Sequence, residues 1–462
     1  MLRAGRPQAP LDRSAFRSLI EQEERAFART ADGSRRMFTR ARNTLVAGVA
    51  SSYQRGSPWP LYLTHGAGSA VWDVDGTRRV DYHAGFGAMV QGHAHPVIGR
   101  AIHERYGRAT HLAAPSEDAV VVAEELARRW GLPKWRFTNS GSESTMDAIR
   151  IARGFTGREV VMKAFGAYHG HHDAVMVALA GGSDDDDPLR LPAPAQGAGI
   201  PDAVAELTVA VPFNDAEAME RRIERLAMAG HTPACVILEP VMMLGLVVPD
   251  PGYLEAVREI TRRHGVVLLF DEVKTGLTVA AGGATERYGV TPDLVTLAKA
   301  LGGGLPSGAI GGTDEVMSVV EDGRVVQVGT FNGNALSMAA ARVNLLEVLT
   351  PEAYTRLERL GARMAAGCNA VLQQRGLAGY ALSVGARGCV TFSPVPIRDY
   401  AALRAHQDAD LLRLTWLNAV NRGLYVTPAR PEQWTLSISH TDEDADHYVH
   451  AFAELADRLA GS

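Results

Sequence analysis

Three residues of this chain stand where apolar runs of strand character end: Glu239 after "ACVIL", Asp271 after "VVLLF" and Lys299 after "DLVTLA". In an open parallel sheet, ligands collect beyond the carboxyl ends of the strands, so two acids and a lysine are candidates for one cleft. A lysine between apolar residues in such a crevice suits Schiff-base chemistry, because desolvation favours its neutral, nucleophilic amine. A simple ion pair between Lys299 and Asp271 is the alternative. A buried carboxylate at position 271 needs a cation or hydrogen-bond donors in front of it.

A second group lies upstream. In "FTNSGSESTMDAIRIARGFTG" a strand at Phe137 and Thr138 leads through Ser140, Gly141 and Ser142 into a helix that the spacing starts near Glu143. Backbone N–H groups and two hydroxyls at a helix N-terminus form a ready phosphate site, although Ser140 can equally be an ordinary N-cap. The stretch "KAFGAYHGHHD" adds Tyr168, an aromatic platform for a flat ring. Its three histidines, His169, His171 and His172, lack the acids or cysteines that would complete a metal site. Val273, two residues beyond Asp271, points to the same side and can pack on one ring face. A phosphate, a flat ring, a Schiff-base lysine and an acid facing a ring cation together describe pyridoxal 5'-phosphate. Asp271 then keeps the pyridine nitrogen protonated, which makes the ring an electron sink.

These groups need a scaffold of alternating strands and helices, and the chain offers one. Residues 12–31 have the periodicity of an amphipathic helix, with Phe16, Leu19, Ile20 and Phe27 on one side. "LYLTHGAGSAVWDVDGTRRVDY" reads as short strands with a tight turn at Asp75 and Gly76. From about 115 to 312, near-continuous apolar runs ("VVMKAF", "ACVILEP", "VVLLF", "LVTLAKAL") alternate with helical segments such as "PGYLEAVREITRRHG". Strands apolar on both faces imply a mainly parallel α/β sheet flanked by helices. Residues 341–462 mix helices with short strands, "CVTFSPV" and "WTLSIS" among them, and read as a smaller α+β domain. The expected division is 1–84 for an N-terminal helix and strands belonging to the small domain, 85–340 for the large α/β domain, and 341–462 for the C-terminal part. "GGSDDDDPLRLPAPAQGAGIP" reads as a surface loop whose four acids, Asp184 to Asp187, are solvated rather than cation-binding.

Composition narrows the function class. With 46% apolar and 21% charged residues and a formal charge of -5, nothing points to nucleic acid or an anionic membrane as partner. The three cysteines, Cys235, Cys368 and Cys389, have no metal-ligand spacing and suit a reducing cytoplasm. The start, "MLRAGRPQAPLDRSAF", lacks an apolar core, so no signal peptide is expected. No run approaches the ~18 uninterrupted apolar residues of a membrane span. "ALGGGLPSG" follows a strand but has neither a P-loop ending nor a G-x-G-x-x-G pattern, which argues against a nucleotide-binding loop.

Taken in order, "DVDGTRRVDY", "GHAHPVI", "FTNSGSESTMDAIRIARGFTG", "YHGHHDA", "ILEPVM", "GVTPDLVTLAKALGGGLPSGAIGG", "GTFNGNALSMAA" and "ISHTDED" resemble class III aminotransferases, in the branch that contains glutamate-1-semialdehyde aminomutase. The resemblance covers roughly residues 35–455. It implies the fold-type-I architecture and a homodimer with active sites at the subunit interface. It also implies Lys299 as the Schiff-base lysine and proton shuttle, Asp271 on the pyridine nitrogen, and Tyr168 and Val273 on the two ring faces. Ser140, Gly141 and Ser142 hold the phosphate, and Thr330 of "VGTFNGN" reaches the phosphate of the partner subunit. Glu239 has a supporting position near the cofactor, or a purely structural one. The aminomutase's arginine-bearing "GGVNSPVR" is replaced by "AGVASSYQRGSPWP", which leaves Arg55, or Arg430 of "TPARPEQ", as candidates for the substrate carboxylate, with a plain surface role as the alternative for either. Tyr53, Trp59 and Tyr62 can make the substrate pocket partly apolar, or can equally be packing residues. The expected activity is transfer of an amino group from an amino acid or amine, a β- or aryl amino acid among them, to a keto acid. Intramolecular transfer of the aminomutase type is the alternative, and a catalytically idle binding protein is a third reading.

Overall fold

The computed structural model describes residues 14–179, 197–428, 430 and 434–461; the acidic run at 184–187 lies outside the described residues. A helix at Ser14–Thr30 buries Phe16, Ile20 and Phe27 and lies on the helix Ala409–Asn421 near the other end of the chain. Strands β1 (Leu63–Ala67), β2 (Ala70–Asp73) and β3 (Arg78–Asp81) follow as an antiparallel meander. The Asp73 carboxylate accepts the N–H groups of Asp75 (3.0 Å) and Thr77 (2.9 Å), and Gly76 supplies the left-handed φ of +79° that closes the turn.

The central sheet contains β4 (Lys134–Thr138), β5 (Val161–Ala164), β6 (Thr208–Val211), β7 (Cys235–Leu238), β8 (Val267–Asp271), β9 (Leu294–Ala298) and β10 (Gly308–Gly312). Their order is β4-β10-β9-β8-β7-β5-β6. The pairs from β9 through β6 are all parallel, while β10 runs antiparallel to both β9 and β4. Period-2 alternation divides the apolar residues cleanly. Val161, Cys235, Ile237, Val267, Leu269 and Leu294 pack with the helices Gly141–Thr156 and Asp314–Glu321. Met162, Val236, Leu238, Leu268, Phe270 and Val295 belong to the opposite core, shared with the helices Ala216–Met228 and Tyr253–Arg263. Helices on both faces explain why these strands read as continuous apolar runs.

The sequence does not signal strand β10. "GAIGG", the continuation of "ALGGGLPSG", carries Ile310 as its one large residue, yet it is a strand inside the sheet. A Cβ on Gly311 would stand 2.6 Å from the Trp135 ring, and one on Gly308 would stand 2.3 Å from the Thr138 hydroxyl. Its glycines make room for neighbouring side chains.

Beyond the sheet, the 25-residue helix Pro351–Arg375 packs on β11 (Tyr380–Val384) and on the helix Asp442–Ala460. β11 pairs with β12 (Arg387–Thr391). The two-residue strand β13 (Leu424–Tyr425) runs parallel to β3 and completes the N-terminal sheet, while β14 (Trp434–Thr435) joins β12. "WTLSIS" pairs as a strand for two residues only. Beyond Thr435 its N–H groups go to different partners, Leu436 to the carbonyl of Ala386 (2.7 Å) and Ile438 to that of Val90 (2.9 Å).

Candidate active site

Glu239, Asp271 and Lys299 come together, because β7, β8 and β9 are adjacent parallel strands that end at the same edge. Asp271 closes β8 and is almost fully buried. One of its oxygens accepts the N–H of Val273 (3.0 Å) and the hydroxyl of Thr296 (3.3 Å); the other lies 2.8 Å from Nδ1 of His169. Burial lowers the pKa of that imidazole, against the pull of Asp271, and its Nε2 has no partner among the described residues. Lys299 leaves β9 with φ +49°, a left-handed conformation that costs a non-glycine residue of order 1 kcal/mol and is found at functional sites. It turns the chain into the short helix Lys299–Gly302. Glu239 accepts the N–H groups of Tyr168 (2.8 Å) and Met243 (3.2 Å). Burial, with Asp271 close by, pushes its pKa up to about 7.

The helix after β4 begins at Gly141, two residues earlier than the sequence spacing indicates, with Ser140 as N-cap accepting the N–H of Glu143 (3.2 Å). Gly141 is required there: a Cβ would lie 2.7 Å from the side chain of Val273. Ser142 accepts the N–H of His171 (3.2 Å), which draws the "YHG" segment over the helix N-terminus. The result is a cavity of about 380 Å³ lined by Ser140, Gly141 and Ser142 at one end, and by Tyr168, Val273, Asp271 and Lys299 further in. Glu239, Asn139 and the run Gly304 to Ser307 also line it.

At the mouth, the Tyr53 ring meets Tyr168 edge-on at 5.9 Å between centroids and Phe86 at 5.3 Å. The guanidinium of Arg430 lies over the Tyr53 ring, 4.8 Å from its centroid. Arg430 is thus joined to the cavity rim through Tyr53, whereas Arg55 is exposed and does not line the cavity. Thr330 is exposed in the turn after β10 and its helix, also off the cavity of its own chain. Trp59 and Tyr62 face elsewhere, donating to the carbonyls of Ala31 (3.0 Å) and Gly48 (2.5 Å). Sequence reasoning missed His169 as the partner of Asp271. The signal was present, since a histidine beside Tyr168 with no metal partners is free to meet an acid at a strand end.

The sheet thus sets a lysine turned out of one strand beside an acid that ends its neighbour, at one cavity. The profile of class-III aminotransferases matches residues 52–429. A glutamate-1-semialdehyde 2,1-aminomutase from Methanopyrus kandleri is 40% identical over 92% of this chain and 97% of its own length. Among solved structures, a glutamate-1-semialdehyde aminomutase from Pseudomonas aeruginosa in complex with PMP superimposes with a TM-score of 0.87 at 29% identity, covering 97% and 99% of the two chains. A β-phenylalanine aminotransferase from Variovorax paradoxus does so with 0.84 at 30% identity, covering 96% and 97%. The chain belongs to the class-III aminotransferase family, and its cofactor is pyridoxal 5'-phosphate. The residues present fit that group. A helix N-terminus with two hydroxyls suits its phosphate, and the side-chain-free Gly141 leaves space beside Val273. The Ser307 hydroxyl, buried at the cavity and unpartnered among the described residues, adds a further donor.

Proposed function

We propose that this enzyme moves an amino group from a carboxylate-bearing amine, a β-amino or aryl amino acid in particular, to a keto acid. The observation that carries the reading is Arg430 stacked on Tyr53 at an aromatic mouth: a guanidinium fork for a carboxylate beside rings for an apolar substituent. Pyridoxal 5'-phosphate supplies the electron-withdrawing ring that acidifies the donor carbon and carries the amino group between half-reactions. Lys299 would hold the cofactor, and its amine would move the proton between the donor carbon and the adjacent position. Asp271, steadied by His169, Thr296 and the N–H of Val273, presents negative charge to the ring nitrogen. Tyr168 and Val273 line the cavity where the ring would sit. Ser140, Gly141 and Ser142 bind the phosphate, and Glu239 holds the backbone of Tyr168 in place. The apolar surface of Val326, Val328 and Phe331 beside Thr330 supports a homodimer in which Thr330 reaches the phosphate of the second subunit. Three buried cysteines in no disulfide suit a cytoplasmic enzyme.

The alternative is intramolecular transfer of the aminomutase kind, favoured by the 40% identity to the Methanopyrus relative. Incubating the pyridoxamine form with pyruvate or 2-oxoglutarate separates the two. Alanine or glutamate appears if the transfer is intermolecular. Absence of both products, with α-, β- and ω-amino donors alike, rejects it in favour of the aminomutase reaction.

A further inference from the structure

Lys163, the third residue of β5, is wholly buried and takes no part in the proposed chemistry. Its Nζ donates to three carbonyl oxygens, those of Ala167 (2.7 Å), Val175 (3.2 Å) and Val177 (2.9 Å). An ammonium has three N–H donors and no acceptor, so three converging carbonyls match its protonated form. A neutral amine would turn its lone pair towards one of them. Burial pushes the pKa down to about 7, opposed by the charges of Glu239 and Asp271; His169 is the other titratable group that senses this lysine.

The three carbonyls lie on the two limbs of one excursion between Ala164 and Leu179, whose base is closed by Gly166 donating to the carbonyl of Ala178 (2.8 Å). Tyr168, His169, Gly170 and His171 sit between those limbs and line the cavity. We propose that Lys163 is a positioning residue for the reaction: its ammonium ties the two limbs together from beneath and so sets Tyr168 and His169 against the cofactor, with His169 in turn steadying Asp271. The inference rests on the cofactor placement given under the proposed function.

The test compares wild type with Lys163→Met, which keeps chain length and apolar volume but removes every donor. Hydrogen exchange is followed in the cofactor-free protein, and cofactor affinity by titration with pyridoxal 5'-phosphate. Charged hydrogen bonds of this kind are worth about tenfold or more in an equilibrium constant. Amides of residues 165–179 should therefore exchange at least about tenfold faster, and the dissociation constant of the cofactor should rise to a similar degree. β7 and β8 should keep their protection. The visible circular dichroism of the bound cofactor should weaken as well. If Lys163→Met does not fold, Lys163→Gln, which keeps two donors without charge, replaces it and should show the same local pattern in weaker form. Unchanged exchange in 165–179 overturns the proposal. So does protection lost evenly through the sheet, or failure of both variants to fold, since either assigns Lys163 to the core alone. Borohydride reduction of the wild-type holoenzyme with peptide mapping tests the underlying reading separately, because a label absent from Lys299 sinks the cofactor placement whatever the exchange shows.

Discussion

Two carboxylates occupy successive positions at the end of β8, and the pleat sends them to opposite sides of the sheet. Glu272 enters the core, where it accepts five hydrogen bonds: from Trp130 Nε1 (3.0 Å), the Thr275 hydroxyl (2.8 Å), the Ala284 N–H (2.5 Å), and the N–H (2.9 Å) and hydroxyl (2.7 Å) of Thr285. Even so, burial pushes its pKa above the usual carboxylate range, against those donors. Asp271, on the side of the Gly141 helix, has three donors and opens on the cavity. The difference separates an acid enclosed by the core from one presented to the cavity. A carboxylate whose lone pairs are all occupied from within the chain is fixed and inert, whereas one left partly open at a cleft is available to a cationic ligand.

Substitutions can break this contrast. On the cavity side, Lys299→Ala sets the upper limit: turnover should vanish while far-ultraviolet circular dichroism stays at the wild-type spectrum. Surviving turnover would remove Lys299 from the chemistry. Asp271→Asn should lower kcat by about 10²–10³-fold with little change in melting temperature, because an amide cannot balance a ring cation. On the core side the pattern inverts. Glu272→Gln turns an NH₂ towards donors and should cost roughly 2–4 kcal/mol of stability, read from denaturant midpoints, while the folded fraction keeps its kcat. A large loss of kcat in folded Glu272→Gln would dissolve the distinction between the two acids.

Glu239, with only two donors, sharpens the comparison from between. Its folded pKa of about 7 lies above the ordinary value of 4.5, so its contribution to stability is complete below pH 4.5 and is lost as the pH climbs through 7. Cofactor-free wild type should therefore lose about 2–3 kcal/mol relative to Glu239→Gln between those limits, because the half-buried His172, whose pKa is lowered to about 4, titrates in the opposite sense in both proteins. A difference between wild type and Glu239→Gln that is flat from pH 5 to 8 contradicts the raised pKa. The smallest effect is expected at the rim. Arg430→Ala should raise KM for carboxylate donors about tenfold and leave amines without a carboxylate nearly unchanged. Equal losses for both donor types would detach Arg430 from substrate recognition.

The sequence made β7, β8 and β9 legible, because strands covered on both faces leave unbroken apolar runs, and it located Glu239, Asp271 and Lys299 at their ends. It could not tell Asp271 from Glu272. The donors that neutralise Glu272 come from Trp130, 142 residues away, and from Thr285, neither marked by any pattern near "FDEV". His169 was overlooked for the same reason, since 102 residues separate it from its acid. β10 escaped notice because a glycine-rich strand lacks the β-branched and aromatic residues that signal one. Arg430 and Arg55 were candidates by their positions in the family resemblance, and the stacking on Tyr53 separates the two.

The pairing of β13 with β3 has a consequence for how the chain is born. Arg79, beside that junction, is wholly buried, ion-paired with Asp73, and donates to the carbonyl of Val420, 341 residues downstream. At the usual pace of a ribosome, the first meander waits roughly 20–70 s with its edge exposed before its last strand emerges. The meander is thus made well before it can be finished, and loss of β13 reaches back to unsettle β1 to β3.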